Sequence, residues 1–249
     1  MKPIHLNKLS AILSMKWRTL LSKNFIIMPI FSLGITVVMN LVYGSLAASE
    51  GGEMSSTLRS MAAGLGALMN TAITGIACTG MALAEEKEKH TLRALMTSSV
   101  NGLEFFLGSI LPAAALITAV NALIIPAAGL RLPAADWGIW LGISLLCALA
   151  SSVIGMIFGL CAKNQVTAST LTTVPMLVLV LTPTIGAFNA TAEKISRFLF
   201  TGVLSNTVSA LAEGTPKADL FGLAVIGAEI VLAAAVFLLV YRKNGYDPD

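Results

Sequence analysis

Apolar positions along this chain gather into runs of twenty residues or more, each bounded by a short polar break. A run of roughly 20 apolar residues with few charges is long enough, at about 1.5 Å per residue, to cross the ~30 Å hydrocarbon layer of a bilayer as a helix. Six such runs predict crossings at 25–46, 61–84, 105–130, 137–161, 166–188 and 220–241. The third has Pro112 and Pro126 near its ends, and the fifth is interrupted by Pro175 and Pro183. Residues 4–23 follow another rhythm. Leu6, Leu9, Leu13, Trp17 and Leu20 recur at three- and four-residue steps, while Lys8, Lys16, Arg18 and Lys23 populate other faces. That pattern predicts an interfacial amphipathic helix with Trp17 at headgroup level, and it lacks the continuous apolar core of a cleavable signal peptide.

Between crossings five and six, residues 189–219 mix Glu193, Lys194 and Arg197 with a short apolar stretch around Phe198, too polar and too brief to cross. One or two helices dipping into, or lying on, the outer face are expected there. Small residues recur in crossing two (Ala62, Gly64, Gly66, Gly75, Gly80) and at four-residue steps in crossing four (Ser151, Gly155, Gly159). Such faces let helices approach closely in lipid, either between subunits or within one. The predicted fold class is an all-α polytopic membrane protein forming a single transmembrane domain over 1–249.

Composition agrees. Of the 249 residues 56% are hydrophobic and 12% charged, with mean hydropathy +0.83, against roughly 25% charged in soluble domains. The net charge of +3 comes without a basic run of the kind that tracks phosphates, so nucleic acid is not an expected partner. Cys78, Cys147 and Cys161 lie in apolar runs without ligand spacing, and His5 and His90 have no ligand neighbours, so no metal site is expected. No GxxxxGK[ST] loop and no Ser/His/Asp constellation is found, which argues against ATP binding by that loop and against catalysis by the chain itself. Eleven of the 16 lysines and arginines fall on the side holding both ends, which the positive-inside rule makes cytoplasmic. A multi-pass protein of the cell membrane with both termini cytoplasmic is expected.

The densest charge is Glu85-Glu86-Lys87-Glu88-Lys89, directly after crossing two. A helix core in lipid could not hold it, so the loop 85–104 is expected to stand in water or at the membrane surface. Glu85 and Lys89 form an i,i+4 pair in the favourable order. Leu92, Leu95 and Met96 then share a face, and Asn101-Gly102 breaks the helix. Such a helix can dock into a partner's groove, or fold against the membrane surface.

The order of crossing two, Glu-rich charge, Thr91-Leu92-Arg93-Ala94-Leu95-Met96-Thr97-Ser98-Ser99-Val100 and Leu103-Glu104-Phe105-Phe106-Leu107-Gly108 resembles the first cytoplasmic loop of permeases of type-2 ATP-binding-cassette (ABC) exporters. Those permeases share the wider layout too: an amphipathic elbow helix, six crossings and short outer helices between the last two. The sequence departs from the pattern at His90, where Gly is usual, at Ser99, where Pro is usual, and at Arg93, where an acid is common. The resemblance implies that Thr91 to Val100 is a coupling helix seated in a cleft of a separate ABC ATPase, contacted through Glu85, Glu88, Thr91, Leu92, Leu95, Met96 and Thr97. It implies two ATPase copies holding ATP and Mg2+, no cofactor in this chain, and a second permease copy or related permease chain beside it in the bilayer.

Inside the crossings Glu229 is a polar candidate by its depth, since an ionisable group there is costly. It could pair with a cation or polar cargo, relay a proton, or be a protonated carboxyl bonded to a neighbouring helix or backbone carbonyl. Asn40, Asn70 and Asn121 are candidates that interhelical hydrogen bonds explain equally well. Aromatic residues are 6% of the chain, too sparse for a polysaccharide channel lined by sugar platforms. An amphipathic or hydrophobic cargo is favoured: a drug, a lipid-like molecule or an antimicrobial peptide. Two alternatives stand beside ATP-driven export: an ion-coupled secondary transporter or channel using Glu229, and a non-transporting scaffold that recruits a soluble partner.

Overall fold

The structure is a computed structural model that describes residues 6–91, 102–215 and 219–244. Among these residues it is built of helices. An amphipathic helix α1 (Leu6–Leu20) leads into α2 (Lys23–Ser49). The chain returns through α3 (Ser56–Met69), a π-helical stretch (Asn70–Cys78) and α4 (Thr79–Glu88), which run on as one rod. Then follow α5 (Gly102–Ala127), α6 (Ala134–Cys161), α7 (Gln165–Gly186), two short helices α8 (Ala190–Ser196) and α9 (Phe200–Ala212), and α10 (Leu220–Asn244). Six of these, counting the rod as one, are long and apolar enough to cross a membrane, as the run pattern predicts.

Polar residues at the breaks start the helices. Ser55 Oγ accepts from the Leu58 amide at the start of α3, Asn164 Oδ1 from the Thr167 amide of α7, and Asn189 Oδ1 from the Thr191 and Ala192 amides of α8. The prolines expected to interrupt crossing five do not: α7 continues through Pro175 and Pro183. Each removes one amide donor, but in an apolar surround no water competes for the remaining ladder, so the helix persists.

The rod α3–π–α4 is the centre of the bundle. Of its most apolar window 78% is buried, against 22%, 22% and 17% for α2, α7 and α10. Its 33 residues reach about 50 Å, well beyond the ~30 Å hydrocarbon layer. That length lets the charged α4 end stand beyond the layer. Small residues allow the tight centre. A Cβ on Gly155 would come 2.8 Å from the Gly75 carbonyl, and one on Gly159 would come 2.6 Å from that of Gly80. The Ser151/Gly155/Gly159 face is thus consumed inside the subunit, against the rod. The short helix α9 buries Phe200, Thr201, Val203, Leu204, Val208 and Leu211 and packs on α3 and α6. It is a helix sunk into the bundle from the end opposite α1, and its 13 residues, about 20 Å, are too few to cross.

Candidate functional site

At the α1 end of the bundle the charged run is bound into its surroundings residue by residue. Glu85 Oε1 pairs with Lys89 Nζ at 2.5 Å, and this hydrogen bond raises the Lys89 pKa. Glu86 turns inward. Lys16 Nζ donates to Glu86 Oε2 at 2.7 Å, lies 2.6 Å from Glu86 Oε1, and stands 4.8 Å from the centre of the Phe105 ring. Lys16 is only 4% exposed. Burial pushes its pKa below the ordinary lysine value, against the opposing pull of the Glu86 carboxylate. Lys87 Nζ donates to the carbonyls of Leu160 and Ala162 (2.9 and 3.2 Å), where α6 ends. Glu88 Oε2 accepts from the Gln165 amide (3.2 Å), where α7 begins. Both charges have the sign that the helix dipole favours at those ends.

The helix then stops. His90 has φ +57°, the left-handed conformation that favours glycine and closes helices, and it occupies the position where the resembled permeases carry Gly. The exposed Thr91 turns its hydroxyl back to the Glu86 carbonyl at 3.0 Å. Of the candidate partner contacts, Glu85 is half-buried and Glu88 and Thr91 are exposed, while Leu92, Leu95, Met96 and Thr97 lie outside the described residues.

Sequence reasoning missed Lys16, Glu86 and Lys87 as structural ties. It put Lys16 on a polar face and Trp17 on the apolar stripe. In the structure Ile12, Lys16 and Leu20 form the buried stripe, and Trp17 is 39% exposed. The four-residue steps from Ile12 to Lys16 to Leu20 were the available signal.

The intramembrane candidates separate into three places. Asn70 and Asn121 meet in a fully buried cluster. Asn70 Nδ2 donates to Asn121 Oδ1 (2.8 Å) and to the Ile117 carbonyl (2.9 Å). Asn121 Nδ2 donates to Thr71 Oγ1 (3.1 Å) and Ser144 Oγ (2.7 Å), Thr74 Oγ1 donates to Asn70 Oδ1 (3.2 Å), and Trp140 Nε1 donates to the Asn121 carbonyl (3.1 Å). This cluster joins the π-helical stretch to α5 and α6. Asn40 stands apart, with a long 3.5 Å contact to the Ala127 carbonyl and its buried Oδ1 without a partner.

Glu229 is elsewhere again. Its Oε2 accepts from the Phe200 amide at 2.8 Å, at the first turn of α9. Leu199, at the cap position of that helix, has no side-chain acceptor to offer, and the carboxyl of α10 supplies one.

No curated protein matches the chain. A family model described as ABC-2 type transporter matches residues 9–213, from α1 through the end of α9, and so covers the charged run, the polar cluster and the sunken helix. With that span matched, the chain belongs to the ABC-2 type transporter family, as a membrane permease component.

Proposed function

We propose that this permease is one half of an ATP-driven exporter that moves an amphipathic or hydrophobic molecule out of the cytoplasm. The observation that carries the reading is the family match from α1 to α9. ABC-2 permeases are not catalysts themselves and work with an ABC ATPase, so ATP and Mg2+ would be held by that partner. The α1 end would face the cytoplasm, with both termini there, as the distribution of lysine and arginine favours. The ATPase would seat on residues 91–100, with Glu85, Glu88, Thr91, Leu92, Leu95, Met96 and Thr97 at the contact.

Two ATPases require two permease halves. The largely uncovered apolar faces of α2, α7 and α10 support a second chain and lipid as neighbours. The sparse aromatics and the absence of a large polar segment between crossings support a cargo that partitions into membranes. The amide contact of Glu229 supports a structural use of that carboxyl and so weakens an ion-coupled mechanism built on it.

The test is purification of the tagged full chain from its own membranes in mild detergent, as wild type and as Leu95→Asp. An ATPase with a phosphate-binding loop should accompany the wild type at one per permease chain and be lost in the variant. Inside-out vesicles should then accumulate the cargo only with ATP present. Wild type that purifies alone would remove the reading, and ATP-dependent loss of cargo from those vesicles would reverse its direction.

A further inference from the structure

We infer that Lys16 is a positioning residue that clamps the end of α4 to the start of α5 and ties both to α1, so that a displacement of either is carried to the amphipathic helix. The contacts define a three-way joint. The Lys16 ammonium grips both Glu86 oxygens on α4 and faces the buried ring of Phe105 on α5. The ammonium held between both carboxylate oxygens ties α1 to α4, and the cation facing the ring ties it to α5. One turn along, Ile12 lies so close to Gly108 that a Cβ there would come 2.5 Å from Ile12 Cγ2, so α1 and α5 are in close contact there. Beside the pair a cavity of about 20 Å3, lined among others by Lys16, Thr19, Thr79 and Ser109, presents hydroxyls from α1, α4 and α5. It is large enough for one water.

A lysine is a poor choice if cohesion alone were needed. It sits on the stripe between Ile12 and Leu20, where a leucine would pack, and well-packed apolar pairs are often as stable as a buried ion pair or more so. What an apolar pair lacks is direction. The joint stands where the chain leaves α4 and where it re-enters α5, on either side of the segment proposed to meet the ATPase. The inference rests on that reading only for what drives the motion.

The test is hydrogen exchange of the full chain in lipid nanodiscs, followed in peptides covering 79–91, 102–110 and 6–20. Lys16→Met should raise exchange at both the α4 end and the α5 start by about tenfold, the scale of a local opening made easier by one lost tie, with α9 unchanged. The charge swap Lys16→Glu with Glu86→Lys restores the α1–α4 pair but leaves no cation over the Phe105 ring, so it should return the α4 end to near wild type and leave the α5 start raised, and the exposed Arg18→Gln should leave both unchanged. Exchange at the α5 start that is the same in Lys16→Met as in wild type would overturn the clamp, as would a swap whose α4 end is no better protected than in the single variants. If Lys16→Met does not fold, the swap decides: folded with a protected α4 end and a raised α5 start supports the clamp, misfolded overturns it. With the ATPase that accompanies wild type, trapping ATP should change exchange in α1 for wild type and swap, and at least fivefold less in Lys16→Met, the lower end of typical coupling between sites. An equal change in α1 in Lys16→Met would refute the transmission. If no ATPase accompanies wild type, the exporter reading falls, and the nucleotide-free exchange still decides the clamp.

Discussion

Replacing Asn121 with leucine tests how much of the bundle's centre is held by hydrogen bonds. Its side chain makes three of them, to Asn70 and Thr71 on the rod and to Ser144 on α6, and it is fully buried. Side-chain hydrogen bonds between membrane helices average roughly 0.6 kcal/mol and reach about 1.7, so losing three costs about 2 kcal/mol, with about 5 as a ceiling. Asn70 retains the Ile117 carbonyl, which keeps the value near the lower figure. At about 2–4 °C per kcal/mol for a chain of this size, Asn121→Leu should melt ~4–8 °C below wild type. The assay is thermal unfolding of the purified chain in one detergent, read by loss of the monodisperse peak. Asn40→Leu is the internal comparison. It removes one long contact and a buried oxygen that has no partner, so it should melt within about 1 °C of wild type or above it. A near-wild-type melt for Asn121→Leu, or an equal loss at Asn40, would refute the reasoning.

The other expectations use the same melt or the yield of folded protein in a detergent extract. Glu229→Gln keeps an acceptor for the Phe200 amide and should cost under about 1 kcal/mol, whereas Glu229→Leu strands that amide and should cost about 1–3 kcal/mol. Equal losses would mean that the carboxyl does not cap α9. Gly155→Leu forces a side chain into the Gly75 and Ile76 carbonyls and should leave little folded protein in a detergent extract. Gly138→Leu on the same helix has nothing within 4 Å and should extract like wild type. His90→Gly removes the left-handed cost of a side chain at φ +57° and should stabilise by about 1 kcal/mol, while His90→Val should destabilise. A melt lowered by His90→Gly would mean that the imidazole contributes more than its backbone costs.

Much of the fold was legible because crossing a bilayer imposes a one-dimensional requirement. Twenty apolar residues in a row are visible without knowing their neighbours, and so was the short apolar stretch around Phe198, within 189–219, that leaves α9 (Phe200–Ala212) a sunken helix and not a crossing. What was not legible depends on contacts distant in sequence. The amide that Glu229 accepts belongs to Phe200, 29 residues away on another helix, and depth alone left the carboxyl's use open. The π-helical stretch has no composition that marks it. Its turns carry Asn70, Thr71 and Thr74 into a cluster whose other half comes from α5 and α6. Lys16 was misassigned because residue type was weighed above spacing. A lysine between Ile12 and Leu20 is on the inward stripe whatever its charge, and the α4 carboxylate that accommodates it lies 70 residues on.

The charged run shows why its sequence reading was half sufficient. Charge excludes the run from hydrocarbon, and that much follows from composition. It does not follow that the charges face water. At the membrane boundary helix ends expose unsatisfied amides and carbonyls, and a charged side chain arriving there finds a partner of fixed polarity. Lys87 meets the last carbonyls of α6, Glu88 the first amide of α7, and Glu86 the inward lysine of α1. The order Glu-Lys-Glu at 86–88 therefore matches three different neighbours in succession. A solvated handle could be reordered at little cost, and this one could not. Because one helix turn joins α1, α6 and α7, a force applied just beyond Thr91 meets several crossings at once. That stiffness is what a motion generated outside the membrane would need in order to reach its interior.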